Sequence, residues 1–242
     1  MPVDSKWKVL CGGLLIAASW SAQGQTINPT EDVMTSAFFQ GPNQVRGYAG
    51  DARPTFRVSS DLAFGVGPET VYIGFDSADF AAISSPVASA LLNVESISGN
   101  FGGDASAGSP FLVSAHAVDA DPFTSITDDT NPGGSISASD FFANNILSSE
   151  PEAVTSINSF GTFTFDITSI VNDWLDGTNT VFAIALTGKN DPQTANDGAG
   201  FLHGFANNTE APGSTFIAIP EPASLALLGM GGVCLLTRRR CA

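Results

Sequence analysis

Between Thr26 and Ile219, short apolar runs alternate with clusters of Gly, Pro, Asn, Asp and Ser. That spacing is the signature of an all-β sandwich or barrel. It predicts strands at Val33–Phe39, Val45–Ala49, Thr55–Val58, Thr70–Asp76, Ala88–Ser96, Phe111–Val118, Gly161–Ile167, Val181–Thr187, Phe201–Phe205 and Thr215–Ile219. Several have period two. Val71, Ile73 and Phe75 fall on one face, with Tyr72 and Gly74 on the other. Phe163, Phe165 and Ile167 alternate with Thr164 and Asp166 in the same way. One buried and one solvated face per sheet is therefore expected.

Two short helices interrupt the pattern. Over Ser139–Leu147, Phe142, Ile146 and Leu147 share a helical face, with Ser139 as the cap. Further on, Ile167, Ile170, Val171, Trp174 and Leu175 recur at helical spacing. Thr168 reads as the N-cap of that helix and Gly177 as its stop. Trp174 is expected as a plug under the sandwich. The fold class is thus an antiparallel β-sandwich of jelly-roll type with one or two short helices.

The two chain ends break with this body. Lys6 and Lys8 precede an apolar stretch from Val9 to Trp20, and Ala22-Gln23-Gly24 places small residues at −3 and −1. These are the parts of a signal peptide, cut between Gly24 and Gln25, with a cut after Ser21 as the close alternative. At the other end, Pro220-Glu221-Pro222 is followed by an uncharged apolar run from Ala223 to Thr237, then Arg238, Arg239 and Arg240. Neither proline donates a backbone hydrogen bond, so the motif reads as extended and exposed. The apolar run, as a helix of roughly 22 Å at ~1.5 Å per residue, is a transmembrane helix somewhat short of the ~30 Å bilayer core. The arginines hold its end on the cytoplasmic side. The plan is a signal helix at 1–24, a β-sandwich at 25–219 and a sorting segment at 220–242.

Charge sharpens the division. The net charge is −15 and the isoelectric point about 4.1. With Asp4 and Glu221 set aside, the body holds 22 acids against 4 bases, namely Arg46, Arg53, Arg57 and Lys189. Such a surface repels nucleic acid and anionic lipid. The cysteines, Cys11, Cys234 and Cys241, all lie in the terminal segments. The body therefore holds no disulfide or thiolate metal site, and its stability rests on its core.

Candidate chemistry in the body is sparse. Gly-x-Ser-x-Gly, His-Glu-x-x-His and Gly-Lys-Ser/Thr motifs do not occur. His116 and His203 sit on different predicted strands, at no diagnostic spacing. The body is accordingly read as non-enzymatic. Calcium is the cofactor that fits best, since it takes six to eight oxygen ligands. Loop residues Asp119, Asp121, Asp191 and Asp197 are its candidate ligands, although none has EF-hand spacing and turn chemistry explains them equally. Trp174, Tyr48 and Tyr72 are the body's aromatics besides Phe, a thin supply for a sugar-binding face.

The order Pro220-Glu221-Pro222, apolar run, Arg238-Arg239-Arg240 resembles the PEP-CTERM sorting signal of exported bacterial proteins. Segments of this kind also go by the name of an ice-binding protein C-terminal domain, which implies nothing about ice here. The resemblance implies export by the Sec translocon, removal of the leader by signal peptidase, transient anchoring in the inner membrane and cutting by an exosortase near Pro220–Pro222. The released body would then reach the envelope or an extracellular, biofilm-type matrix.

A second resemblance lies in the body. Asp166-Ile167-Thr168, Trp174-Leu175-Asp176-Gly177 and the strand ending Ala185-Leu186 are similar to the late motif of DNRLRE-type domains, which are jelly-roll sandwiches grouped with carbohydrate-binding modules. Val33-Met34-Thr35, Val71 to Asp76 and Ala88 to Val94 resemble earlier strands of that family. The arginine-bearing signature and the Trp-rich segment of the family are missing. Three functions follow for the body: a structural or adhesive role, binding of exopolysaccharide, or hydrolysis of glycosides.

Overall fold

The structure, a computed structural model, describes residues 24–35, 45–46, 55–59, 70–98, 105–108, 110–127, 134–146, 150–188, 202–206 and 211–220. The chain divides into two compact units. One gathers both ends, Met1–Gln25 and Ile219–Ala242, and the other is Thr26–Ala218. The strands are β1 (Gln25–Ile27), β2 (Glu31–Thr35), β3 (Val45–Arg46), β4 (Thr55–Ser59), β5 (Thr70–Gly74), β6 (Leu91–Ile97), β7 (Phe111–Ala117), β8 (Ala153–Ile157), β9 (Gly161–Asp166), β10 (Ala183–Thr187), β11 (Leu202–Ala206) and β12 (Thr215–Ile219). They form two antiparallel six-stranded sheets, as the alternation predicts. The first runs β1-β12-β6-β11-β4, with β9 also on β6, and the second runs β3-β2-β5-β10-β7-β8.

Along β6, β9 and β12 of the first sheet the period-two expectation holds. Leu92 faces Phe165 on β9 and Ile217 on β12, which makes one buried row across three strands. One residue along, Asn93 faces Thr164, and the Thr164 hydroxyl donates to Asn93 Oδ1 at 3.0 Å on the outer side. Thr162, Thr164 and Asp166 are exposed while Phe165 is buried.

The second sheet departs from that pattern. All five residues of β5 and all five of β10 are buried, so these central strands have no solvated face. Val71 and Ile73 sit opposite Leu186 and Ile184, making one apolar face. Tyr72, opposite Ala185 and Val33, belongs to a second core with Val118, Ile126, Ala138, Phe141, Phe142 and Ile146. The chain from Val118 to Ile146 lies over this face. It contains helix α1 (Pro122–Ser125) and helix α2 (Ala138–Asn145), stitched by a bridge between Ile126 and Ile136. Phe141 stands edge-on to Tyr72 with ring centroids 5.5 Å apart. The alternation marks which residues share a face, but not that a later segment returns to cover the second one.

The same outer face carries a row of hydroxyls in register. Thr35, Thr70, Thr187 and Ser114 are successive neighbours across β2, β5, β10 and β7, and all four are buried. Thr70 Oγ1 and Ser114 Oγ make no hydrogen bond. The Tyr72 hydroxyl lies beside Thr35 without meeting hydrogen-bond geometry, and burial pushes its pKa up.

Helix α2 begins one turn-position earlier than its pattern suggests. Ser137, not Ser139, is the cap. Its Oγ accepts from the Asp140 amide at 3.0 Å, which satisfies one free amide of the first turn, and donates to Asp140 Oδ2 at 2.7 Å. Helix α3 (Thr168–Asp176) also shifts. Ile167 takes the cap position with no side-chain cap bond, and Thr168 is the first helical residue. Asp166 Oδ1 accepts both the Thr168 amide at 3.1 Å and the Thr168 hydroxyl at 2.5 Å, and that hydroxyl in turn accepts from the Ala90 amide at 3.0 Å. Asn172 extends the docking by bonding both the amide and carbonyl of Val87, at 2.8 and 3.2 Å. Gly177 ends the helix at φ 81°, the left-handed conformation that glycine adopts most cheaply. Trp174 is buried among Phe75, Phe80 and Phe182, with centroids 5.9, 5.4 and 5.3 Å away. It is the plug its helical spacing predicts.

Two strands were outside the expected set. β8 carries Ser and Thr between Ala153 and Ile157, and its pairing with β7 makes it a strand. β1 has three residues, held on the edge next to β12.

Candidate functional site

One end of the second sheet opens into a cleft of about 740 Å³. Its walls are the start of β2, the end of β5 and the approach to β10. Thr30 ties the first two together, with its amide donating to the Gly74 carbonyl at 2.9 Å. The Phe75 amide donates to the Phe182 carbonyl at 2.8 Å and closes the third side. Phe123 leans in from α1, against Gly74. A methyl group on residue 74 would stand 2.5 Å from the Phe123 ring, so glycine is what lets the ring lie flat on the strand.

Three carboxylates line the opening: Glu31, Asp76 and Asp121. Two of them have local duties. Asp121 caps α1, accepting the Phe123 amide at 2.9 Å and the Thr124 hydroxyl at 2.6 Å. Pro122 at the first helical position completes that start signal. Asp76 caps the single 3₁₀ turn Ser77–Phe80 by accepting the Ala78 amide at 2.8 Å. Glu31, the first residue of β2, is the third. Loss of solvent first, and the negative charge of Asp121 second, hold its carboxyl above the usual range. The cleft therefore joins acceptor oxygens to the apolar faces of Phe75, Phe123 and Phe182. This arrangement suits a ligand rich in hydroxyl or cationic donors, with an apolar side.

The sequence-derived calcium ligands meet only in part. Asp121 lines the cleft, whereas Asp119 is exposed on the preceding turn. Asp191 and Asp197 lie outside the described residues. Among the described residues, no three His, Cys, Asp or Glu side chains are grouped to hold a metal ion. The two histidines are on different sheets, His116 on β7 and His203 on β11. Glu31, Asp76, Phe123 and Phe182 were not singled out from sequence. The Asp121-Pro122 pair carried a visible helix-start signal, but nothing along the chain puts it beside Glu31, 90 residues earlier.

Of the residues read from sequence as processing sites, the structure describes Gly24, Gln25 and Pro220. Gln25 opens β1 and Gly24 precedes it, both exposed. Pro220 is exposed directly after Ile219, the last residue of β12. Glu221, Pro222, Arg238, Arg239 and Arg240 lie outside the described residues, as does the predicted membrane helix. Among the described residues, no helix is long and apolar enough to cross a membrane.

No curated protein matches this chain. Residues 218–240 match the PEP-CTERM protein-sorting motif, so the chain carries the signal of an exported, membrane-passing precursor that is sorted by an exosortase-type enzyme.

Proposed function

We propose that the mature protein is the β-sandwich between Gln25 and the Pro220 region, released into the cell envelope or extracellular matrix, where it has a non-enzymatic structural or adhesive role. The observation that carries this reading is the sorting motif joined directly to β12 with no spacer, so that processing frees the whole folded body. The acidic, cysteine-free composition of that body fits life outside the cell without disulfide staples. Signal peptidase and the exosortase would be its processing partners, with the inner membrane a temporary anchor. Intact-mass analysis of the protein from native cells and medium tests this. The expected species begins at Gln25 and ends near Pro220–Pro222. A full-length chain in the cytosol would overturn it.

The cleft favours a second reading, in which the body binds matrix exopolysaccharide. Glu31, Asp76 and Asp121 would accept hydroxyl protons, and Phe123 would offer an apolar face to a sugar ring. Affinity electrophoresis through the host's own polysaccharide, with and without calcium, separates the two. Retardation that Phe123→Ala abolishes supports binding, and unretarded migration in both buffers leaves the structural role. Chromogenic glycosides assayed with the same protein test the hydrolase alternative.

A further inference from the structure

The cleft at the end of the second sheet carries charge of one sign. Glu31, Asp76 and Asp121 line it, and among the described residues no Lys, Arg or His does. Burial first, and the Asp121 charge second, hold the Glu31 carboxyl above its ordinary range, as happens to a carboxylate without a countercharge. The other two carboxylates are already fixed. Asp76 accepts the Ala78 amide at 2.8 Å and Asp121 the Phe123 amide at 2.9 Å, so neither has to be ordered when a ligand arrives. The apolar side is a separate feature. Phe75, Phe123 and Phe182 line it from three different elements. Phe75 and Phe182 pack on the buried Trp174, with centroids 5.9 and 5.3 Å away, and the Phe123 ring lies against Gly74. An aromatic face attracts a cation as well as an apolar ring. The volume of about 740 Å³ lies in the range that takes a ligand of several rings, more than one lysine side chain fills.

We propose that the cleft selects amino-sugar units bearing a free ammonium group and rejects units bearing a carboxylate. The inference rests on the polysaccharide-binding reading given above and names the sugar class for that same cleft. The ammonium supplies the positive charge that the three carboxylates lack, and it donates charge-assisted hydrogen bonds to them. The sugar ring lies on Phe123. Acetylation of the amine keeps the ring and removes the charge, so the ring contact remains while the charge-assisted bonds are lost. A uronate unit brings a fourth negative charge beside three others, and like charges brought together in this way oppose binding.

The test is titration calorimetry on the full-length chain, purified in detergent, at physiological ionic strength. The probes are short oligomers of glucosamine, N-acetylglucosamine and galacturonic acid. The glucosamine oligomer should bind about ten- to a hundredfold more tightly than its acetylated counterpart, the gain expected of hydrogen bonds to charged groups. The galacturonate oligomer should not bind. A triple variant, Glu31→Gln with Asp76→Asn and Asp121→Asn, removes the charge and keeps both caps, since Asn caps as well as Asp. It should bind the glucosamine and acetylated oligomers within about threefold of each other, and Phe123→Ala should weaken both alike. If the triple variant does not fold, Glu31→Gln alone, which touches no cap, should lower the preference by about threefold or more. Most of the body's 22 acids remain in the triple variant, so a preference that survives it is the general pull of an acidic surface and overturns the inference. Equal wild-type affinity for the glucosamine and acetylated oligomers also overturns it, and leaves the polysaccharide-binding reading standing. Galacturonate binding does the same. Oligolysine bound more tightly than the glucosamine oligomer would make a protein the partner, and overturns it too. If no sugar oligomer binds, the polysaccharide-binding reading falls with the inference.

Discussion

The two sheets are built from strands with the same alternating pattern, yet β6, β9 and β12 of the first bury a single face while β5 and β10 of the second bury two. On the first sheet, the row behind Leu92, Phe165 and Ile217 is Asn93 with Thr164, and water reaches it. On the second, the row behind Val71 and Leu186 holds Val33, Tyr72 and Ala185, and the strap from Val118 to Ile146 lies on it. The residues of the second row are small or aromatic, so a helix can approach the sheet and a large ring can meet it. Alternation reports sidedness within a strand. Whether the second side is wet depends on what else the chain brings there.

Substitutions in the two outer rows should separate these faces. The largest effect is expected from Phe141→Ala, which empties a fully buried position over Tyr72. A loss of about 3–5 kcal/mol is expected for such a truncation, read by denaturant unfolding. Thr164→Ala on the wet face should stay within about 0.5 kcal/mol. Equal losses at both sites would erase the distinction between the sheets. Next in size, Gly74→Ala drives a methyl into the Phe123 ring and should cost about 1–3 kcal/mol, as overpacking does. The same unfolding curve measures it, and a fall in Phe123-dependent binding would accompany it if the cleft holds a ligand.

A smaller effect of the opposite sign is expected from Thr70→Val. Its buried hydroxyl has no hydrogen-bond partner, and an unpartnered buried donor costs more than a methyl in its place. A gain of about 1 kcal/mol is expected. A loss would mean that the hydroxyl row is bonded in solution. Smallest is Glu31→Gln at the cleft. Burial and Asp121 hold the Glu31 carboxyl above its ordinary range, so the fold disfavours its charged form. Glu31 therefore favours folding most when protonated, and that advantage is lost as pH rises through its folded pKa. Glutamine should be slightly stabilising at neutral pH, within about 0.5 kcal/mol, and neutral once pH falls below the carboxylate range. Melting temperatures across that range check the sign.

Much of the fold was legible because its signals are local. The strands around Phe163 and Thr215 alternate cleanly, and Gly177 stops α3 where its helical spacing ends. Other elements were hidden for a definite reason. The apolar residues of β8 do not share one face, since Val154 is exposed while Ile157 is buried, and pairing with β7 supplies its order. Thr168 looks like a cap, but Asp166 takes the amide bond and the hydroxyl turns toward Ala90. Of the cleft's carboxylates only Asp121 was singled out from sequence, since Glu31 opens β2, Asp76 follows β5 and Asp121 follows β7, far apart along the chain.

The sequence by itself determined the all-β class of the body, because hydrophobic period is written residue by residue. It also determined the PEP-CTERM motif, which a short run of neighbours spells out. Only the tertiary structure decided that β5 and β10 of the second sheet have two dry faces, and that three carboxylates meet at one end of that sheet. Each of these depends on segments far apart in the chain meeting in space, and no local preference encodes such a meeting.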